Sequence, residues 1–316
     1  MAQDIEHLEQ TAWVANALYY EYMSAANPHI PPVPCLSYPS ALHRNGATRL
    51  IPFDLSERLN NQSPATGPTV SAAYLRICQG ESLPTEAVAS AQLFYVIRGA
   101  GRSETPYGAI PWSEGDCFVL PSTDKVLHVA HEDSALYFIN DAPLLTYLGA
   151  KPATARFQPT LYTRDRIVEE LEHVDKEPGS HSRNRDAVIL GNRQISLIKS
   201  ATHTLWSAFV LVRPGEVQRP HRHNSIAVDI VIKAAPGCYT LLGSEVDDNG
   251  DILNPQRVDW ESATAFVTPP GLWHGHYNES GESAMVMAAQ EAGFYEYMRT
   301  LDIRFTQAST GREYKT

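Results

Sequence analysis

The sequence predicts an all-β protein whose strands form sandwiches or barrels, and three observations lead to this class. Short apolar runs, rich in β-branched and aromatic residues, recur through residues 70–142 and again from residue 187 onward. Turn residues (Gly, Pro, Asn and Asp) separate these runs at nearly regular spacing, as is typical of sandwiches and barrels. Helical periodicity is confined to a few short segments around and between the two strand-rich regions.

Composition limits the classes of function. The chain has 316 residues, enough for two domains, and is 43% hydrophobic and 19% charged with a net charge of −11. We therefore expect neither nucleic acid nor a membrane as a partner, since no long basic run and no apolar span is present. The N-terminal stretch MAQDIEHLEQ lacks the features of a secretory signal, and the four cysteines are scattered. Both observations favour a cytoplasmic location.

Residues 1–65 are predicted to form an N-terminal helix and a proline-rich arm. Apolar residues recur at helical spacing from Ile5 to Met23, and the segment Pro31–Pro34 then requires extended backbone. Aromatic and aliphatic residues exceed what one helical face needs, so we expect the arm to pack on a barrel or on a second subunit.

Residues 66–150 are predicted to form the first strand-rich domain. AQLFYVIRGAG ends in a glycine turn, and IPWSEGDCFVLP turns at Gly115-Asp116 and stops at Pro121. A polar linker with a short helix, RDRIVEELEHV, is expected over residues 151–186. His173 and His181 in this linker are expected to be solvated.

Residues 187–316 are predicted to form the second strand-rich domain, closed by a C-terminal helix and strand, FYEYMRTLDIRF. The acidic stretch Asp247–Asp251 looks superficially like a calcium loop. It lacks the terminal glutamate of such loops, and its Asn-Gly pair already predicts a hairpin turn.

Two His-x-His pairs carry the chemistry of the second domain. His221 and His223 follow a Pro-Gly turn, and His274 and His276 follow a Pro-Pro-Gly turn. Residues two apart in a strand point to the same side, so each pair directs both imidazoles into one space. Several convergent imidazoles favour a divalent transition metal such as Fe, Zn, Cu or Ni.

The spacing around these pairs resembles the motifs of a known family. Five residues separate Gly215 from His221-Arg-His223, and the second run reads Pro269-x-Gly271-x-x-His274-x-x-x-Asn278. This pattern resembles the cupin superfamily and is most similar to its gentisate and salicylate ring-cleaving dioxygenases. The resemblance implies a bicupin, two double-stranded β-helix (jelly-roll) barrels with an N-terminal helical arm.

The resemblance also implies that the second barrel binds the metal and the first does not. The barrel at residues 187–316 would hold one Fe(II) on His221, His223 and His274, with His276 beside them as a proton-transferring catalytic residue. Gln92–Gly149 resembles the metal-free half of the family. The corresponding stretch SLPTEAVASA has no histidine, and His128 and His131 lack partners.

Other positions bear on the substrate. Many metal cupins carry a glutamate where this chain has Ala227 and Val228, so about three coordination positions would stay open for a chelating substrate and O2. Asp229 stands where aromatic-acid dioxygenases carry an arginine, and an aspartate there disfavours a substrate carboxylate. Counting six residues from His223 along one regular strand places it on the ligands' face, as a catalytic or substrate-binding residue. Arg185 and Trp206 match substrate-contacting positions of the family.

These residues favour an Fe(II)-dependent dioxygenase that opens a hydroxylated or amino-substituted aromatic ring. A non-oxidative isomerase or hydrolase using Zn, Ni or Mn is an alternative, and so is a bicupin that only binds a small ligand. The expected partners are a small aromatic substrate and O2. We expect a homodimer or homotetramer, because multimers are common in the resembled family.

Overall fold

The computed structural model describes residues 12–62, 64–179 and 184–306 and divides the chain into two compact units, Met1–Pro32 and Val33–Thr316. The first unit contains two short helices, α1 (Ala12–Ala15) and α2 (Tyr22–Ala26). Residues 17–21 between them are not helical, so the predicted continuous helix Ile5–Met23 is wrong there, and its residues 5–11 lie outside the described part. Glu21 accepts hydrogen bonds from the amides of Met23 and Ser24 and so begins a new helix. An exposed segment of this length has little packing to stabilise one long helix.

The first barrel consists of two antiparallel sheets that together contain ten strands. The strands are β2 (Arg49–Pro52), β3 (Ser71–Ile77), β4 (Ser82–Thr85), β5 (Ala91–Arg98), β6 (Ala100–Thr105), β7 (Gly108–Ser113), β8 (Cys117–Pro121), β9 (Val126–Ala130), β10 (Ser134–Asn140) and β11 (Thr160–Tyr162). The six-stranded sheet has the order β11-β8-β5-β10-β3-β2, and the four-stranded sheet has the order β4-β9-β6-β7.

The second barrel repeats this plan. The strands are β1 (Ser37–Tyr38), β12 (Asp186–Ile189), β13 (Trp206–Val212), β14 (Val217–His223), β15 (Ala227–Lys233), β16 (Cys238–Gly243), β17 (Gln256–Asp259), β18 (Ala265–Thr268), β19 (Trp273–Asn278), β20 (Ala284–Gln290) and β21 (Ile303–Phe305). Six strands form a sheet of order β1-β18-β15-β20-β13-β12, and five form a sheet of order β17-β16-β19-β14-β21.

Short helices connect the sheets. They are α3 (Ala41–Arg44), α4 (Ser56–Leu59), α5 (Ala142–Leu148), α6 (Arg164–Lys176) and α7 (Ala292–Met298). The predicted linker helix is α6, and α7 followed by β21 is the predicted C-terminal helix and strand. Among the described residues, no helix combines the length and the apolar character that crossing a bilayer requires.

The two six-stranded sheets pack against each other and share the largest hydrophobic core. Residues Tyr137 and Ile139 of β10 face this shared core, whereas Leu136 and Phe138 face the interior of the first barrel. Both faces of the strand are buried, so its sequence is apolar without alternation. The Tyr137 hydroxyl also donates to the backbone oxygen of Val228, at 3.0 Å, which joins the two sheets.

Three strands come from segments that were predicted to lie outside the barrels. Strands β1 and β2, from the predicted arm, pair with β18 of the second barrel and β3 of the first, and β11, from the predicted linker, pairs with β8 of the first. The residues from 33 onward form one compact unit. The four-part division by residue number therefore stays a prediction.

Candidate metal centre

Adjacent strands of the second barrel bring the two His-x-His pairs together. Strands β14 and β19 are antiparallel neighbours, and His221 lies directly opposite His274. The turn before β19 uses Gly271 with a φ of 78°, a conformation that favours glycine. The amide of Gly271 donates to the backbone oxygen of His223 at 2.7 Å. This bond fixes the second motif against the end of the first.

Three imidazoles have the geometry of a metal centre. His221, His223 and His274 are buried, and one ring nitrogen from each lies within 4.8 Å of the others. The ring centroids of His221 and His274 are 4.1 Å apart, and those of His223 and His274 are 4.9 Å apart. Among the described residues this is the one group of three or more His, Cys, Asp or Glu side chains close enough to hold a metal ion.

A backbone oxygen lies near Nδ1 of each of the three rings. The Nδ1 atoms of His221, His223 and His274 lie 3.2, 2.8 and 3.0 Å from the backbone oxygens of His274, Ser225 and Leu272. A carbonyl only accepts, so Nδ1 of His223 and of His274 carries the proton, and Nε2 of each keeps a lone pair for a metal. Burial lowers the pKa of all three, that of His223 to about 4, so the rings are neutral ligands at neutral pH. The donor set therefore fits a divalent transition metal.

Arg185 lies directly against this group. Its terminal nitrogens are 3.1 Å from Nε2 and 2.8 Å from Nδ1 of His221, and its guanidinium also donates to Oδ1 of Asn184. Burial lowers the pKa of Arg185 to about 10, against the opposing effects of Asp229 and Glu216, so the side chain is a cation. A guanidinium only donates, so it has to leave the ring nitrogen of His221 that binds a metal.

Asp229 lies inside the barrel, but not for the reason that the sequence suggested. His223 ends β14, whereas Asp229 belongs to β15 in the facing sheet, so no single strand connects them. The neighbours Val228 and Ile230 face the shared core, which leaves Asp229 facing the barrel interior. Its carboxylate accepts a hydrogen bond from Thr268 at 2.5 Å. Burial raises the pKa of Asp229 to about 7, opposed by Thr268 and the charge of Arg185.

Trp206 reaches the site only indirectly. It begins β13, half-buried, on the same side of the strand as the interior residues Ala208 and Val210, and its indole nitrogen donates to Glu296 of α7 at 3.1 Å. Its strand partner is Gln290. Gln290 accepts a hydrogen bond from the Ser225 hydroxyl, which lies 3.2 Å from Nδ1 of His223.

The contacts of His276 include two residues that the sequence analysis missed. Nδ1 of His276 lies 2.9 Å from the hydroxyl of Thr240, and that hydroxyl accepts a hydrogen bond of 2.8 Å from the indole nitrogen of Trp260. Burial, together with the charges of Arg185 and His223, lowers the pKa of His276 to about 3, so its ring is neutral at neutral pH.

The first barrel contains the same arrangement. The indole nitrogen of Trp112 donates to the Ser103 hydroxyl at 3.0 Å, and that hydroxyl lies 2.8 Å from Nδ1 of His128. The sequence carried a sign of this duplication. Trp112 and His128 are sixteen residues apart, as are Trp260 and His276, and both intervals contain a Phe-Val pair and a proline at matching positions.

The duplication also accounts for the difference between the barrels. Thr85 pairs with Val126, two residues before His128, as His221 pairs with His274, two residues before His276. Thr85 and Val126 thus replace two of the three candidate ligands. Aromatic rings fill the first barrel as well, with Phe94 stacked between two others at centroid distances of 4.8 and 4.5 Å. Among the described residues, the first barrel brings together no group of potential ligands.

Fold and site together define the class: a bicupin with one three-histidine candidate metal centre, in its second barrel. No family model matches the chain. A 5-aminosalicylate 1,2-dioxygenase of Comamonas sp. is 29% identical over 171 residues, 52% of this chain and 41% of that relative. A gentisate 1,2-dioxygenase of Aquipseudomonas alcaligenes is 27% identical over 103 residues, 33% of this chain and 26% of the relative. The matches thus span less than half of either curated relative.

Solved structures share the fold over nearly the whole chain. The salicylate 1,2-dioxygenase of Pseudaminobacter salicylatoxidans superposes with a TM-score of 0.71 at 14% identity, covering 94% of this chain and 96% of that one. A variant of the Bacillus subtilis oxalate decarboxylase OxdC gives 0.54 at 14% identity, over 81% and 76% of the two chains. The chain is therefore similar in sequence to aromatic ring dioxygenases over part of its length, and it shares the fold of a salicylate 1,2-dioxygenase over nearly all of it.

Proposed function

We propose that the protein is an Fe(II)-dependent dioxygenase that opens the ring of a hydroxylated aromatic compound. One observation carries the proposal: three buried neutral imidazoles, each with a ring nitrogen within 4.8 Å of the others, lie in a barrel of the kind found in ring-cleaving dioxygenases. His221, His223 and His274 would hold the iron. The Ala227 and Val228 side chains cannot coordinate, so several positions remain for substrate and O2. Bound Fe(II) would supply substrate chelation and the electron transfer that O2 requires.

The residues around the three histidines would bind and orient the ring. Arg185, once displaced from His221, supplies a cation for an anionic substituent and can bind it with two parallel hydrogen bonds. Trp206 offers an aromatic face at the start of β13. His276 is neutral and lies beside the ligands, where it would exchange a hydrogen bond or a proton with an oxygen atom of the substrate.

Asp229 bears on which aromatic compound is accepted. Its buried carboxyl group can accept a hydrogen bond from a ring amino or hydroxyl group, and in ionised form it repels a second carboxylate. One relative is named as a 5-aminosalicylate 1,2-dioxygenase, and the compound in that name has a ring amino group. We therefore include hydroxylated rings that bear an amino group in the proposed substrate class.

Oxygen uptake tests this function. The protein, purified anaerobically and loaded with Fe(II), is given gentisate, salicylate, 5-aminosalicylate, 1-hydroxy-2-naphthoate and neutral aminophenols in an oxygen electrode. We expect one O2 consumed per ring opened, without an added reductant, and no uptake by His221→Ala. Metal-loaded protein that consumes no O2 with any hydroxylated aromatic would refute the proposal. Turnover that persists without O2 would instead indicate an isomerase or hydrolase.

Assembly and location belong to the same proposal. Large apolar side chains of the unit Met1–Pro32 are exposed; they are Trp13, Leu18, Tyr19, Tyr20, Tyr22, Met23 and Ile30. Soluble monomers rarely expose so many together, so we propose a homodimer or homotetramer. All four cysteines are free thiols, which supports a reducing, cytoplasmic environment.

A further inference from the structure

Thr240 is the centre of the duplicated chain of hydrogen bonds in the second barrel. Its hydroxyl has two hydrogen-bond partners among the described residues: the indole nitrogen of Trp260 at 2.8 Å and Nδ1 of His276 at 2.9 Å. An indole N–H can only donate, so the hydroxyl accepts from Trp260 and its own proton remains available. With Nδ1 of His276 as the one acceptor in reach, that proton is donated to Nδ1. A neutral imidazole that accepts at Nδ1 carries its proton on Nε2.

We propose that Trp260 and Thr240 are positioning residues that keep neutral His276 in the Nε2–H form, so that it donates a hydrogen bond to an oxygen atom of the bound substrate. The proposal rests on the proposed function for the identity of the acceptor. It concerns which ring nitrogen carries the proton of a neutral ring, and no proton is gained or lost.

The first barrel gives independent support. There the order of donors is the same: Trp112 donates to Ser103, and Ser103 lies at Nδ1 of His128. The Nε2 atom of His128 lies 3.0 Å from the hydroxyl of Thr85, which completes the chain with a protein partner. Thr85 occupies the position that corresponds to His221 in the second barrel, as the strand pairing shows.

In the second barrel no described residue contacts Nε2 of His276 as Thr85 contacts Nε2 of His128. Nε2 of His276 has no hydrogen-bond partner among the described residues, and the ring centroid lies 6.1 Å from that of His274. An oxygen-bearing ligand beside the metal centre would supply the missing acceptor. His223 and His274 carry their proton on Nδ1, so the site would combine two opposite imidazole forms.

The test measures directly which ring nitrogen of each histidine carries the proton. The full-length metal-free protein is labelled with ring-15N histidine and studied near neutral pH by magic-angle-spinning NMR, and His276→Gln identifies the His276 resonances. We expect protonated Nε2 and bare Nδ1 for His276, and the reverse for His223 and His274. Wild-type His276 with its proton on Nδ1 would overturn the proposal, and this result needs no substrate.

Three variants separate positioning from packing. Thr240→Val keeps the shape but removes the hydroxyl, so we expect His276 to divide between both forms, whereas Thr240→Ser, which copies Ser103, should retain Nε2–H. Ser103→Ala is the matched control and should change only His128. With Fe(II) and a turned-over aromatic, Thr240→Val should lower kcat/KM about tenfold at unchanged iron content, and Thr240→Ser should restore it.

The outcomes distinguish this proposal from the proposed function. An unchanged Nε2–H form in Thr240→Val refutes the positioning role whatever the activity. If the NMR result is as expected but no oxygen is taken up, the positioning role of Trp260 and Thr240 stands. Only the dioxygenase assignment and the substrate as acceptor are then refuted.

Discussion

The buried carboxyl group of Asp229 should make the stability of the metal-free protein depend on pH. Its pKa is raised from 3.8 to about 7 in the folded protein, which at about 1.4 kcal/mol per pH unit corresponds to roughly 4 kcal/mol. In the unfolded chain the group ionises near its ordinary pKa, while the folded protein keeps the proton. This contribution to stability is fully present below about pH 4 and is lost as the pH rises to about 7.

Asp229→Asn removes the ionisation while keeping a side chain of the same shape. We expect the variant to unfold with nearly the wild-type free energy at pH 4. Near pH 8 it should be more stable than wild type by up to about 4 kcal/mol, a figure that already includes the attraction between Asp229 and Arg185. The measurement is urea unfolding in the presence of a chelator at several pH values between 4 and 8. Taking the difference between the two proteins cancels the opposite pH dependence of the buried histidines.

A constant difference between Asp229→Asn and wild type across this range would refute the argument. Glu291 offers a comparison, because burial raises its pKa to about 7 as well, opposed by the amide of Ile226. Glu291→Gln should therefore show the same sign, with roughly 3 kcal/mol as its upper limit. Loss of the pH dependence in one variant but not in the other would assign it to a single residue.

Three further predictions concern the metal and the assembly. His221→Ala should lose nearly all bound metal by elemental analysis, whereas His128→Gln should retain it; stoichiometric metal in His221→Ala would contradict the assigned centre. Arg185→Gln should bind Zn(II) on the order of tenfold more tightly in a chelator competition, because a cation next to the ligands is removed, and an unchanged affinity would show that the guanidinium moves away freely. Removal of residues 1–32 should convert an oligomer to smaller species in sedimentation, and an intact chain that sediments as a monomer at micromolar concentration would refute self-association.

The sequence predicted the strand-rich architecture and the convergence of the histidines because both follow from local patterns. Alternation places His221 with His223, and the turn residues before each pair bring the two strands side by side. For Asp229, reasoning from a local pattern was not sufficient. The count along one strand failed because the chain turns after His223 and enters the facing sheet, and the inward orientation was correct only because β15 has its own alternation.

Other features needed tertiary contacts that no local pattern contains. The contact of Arg185 with His221 spans 36 residues and depends on how β12 joins the sheet. The N-terminal helix was predicted from periodicity alone, although periodicity by itself does not stabilise a short helix. The Trp260–His276 connection was available in the sequence as a repeat of the Trp112–His128 spacing.

The shared core and strand β1 have a consequence for how the chain folds. Ser37 pairs with Phe266, so an edge of the second barrel is formed by residues synthesised before the first barrel. Loop closure over such a separation is slow, and the segment has to wait for more than two hundred later residues. Among the described residues, the first barrel and the segments attached to it cover the apolar back of the second barrel. Residues 187–306 produced alone should therefore aggregate, and the first barrel would act as the template on which the histidine-bearing barrel folds.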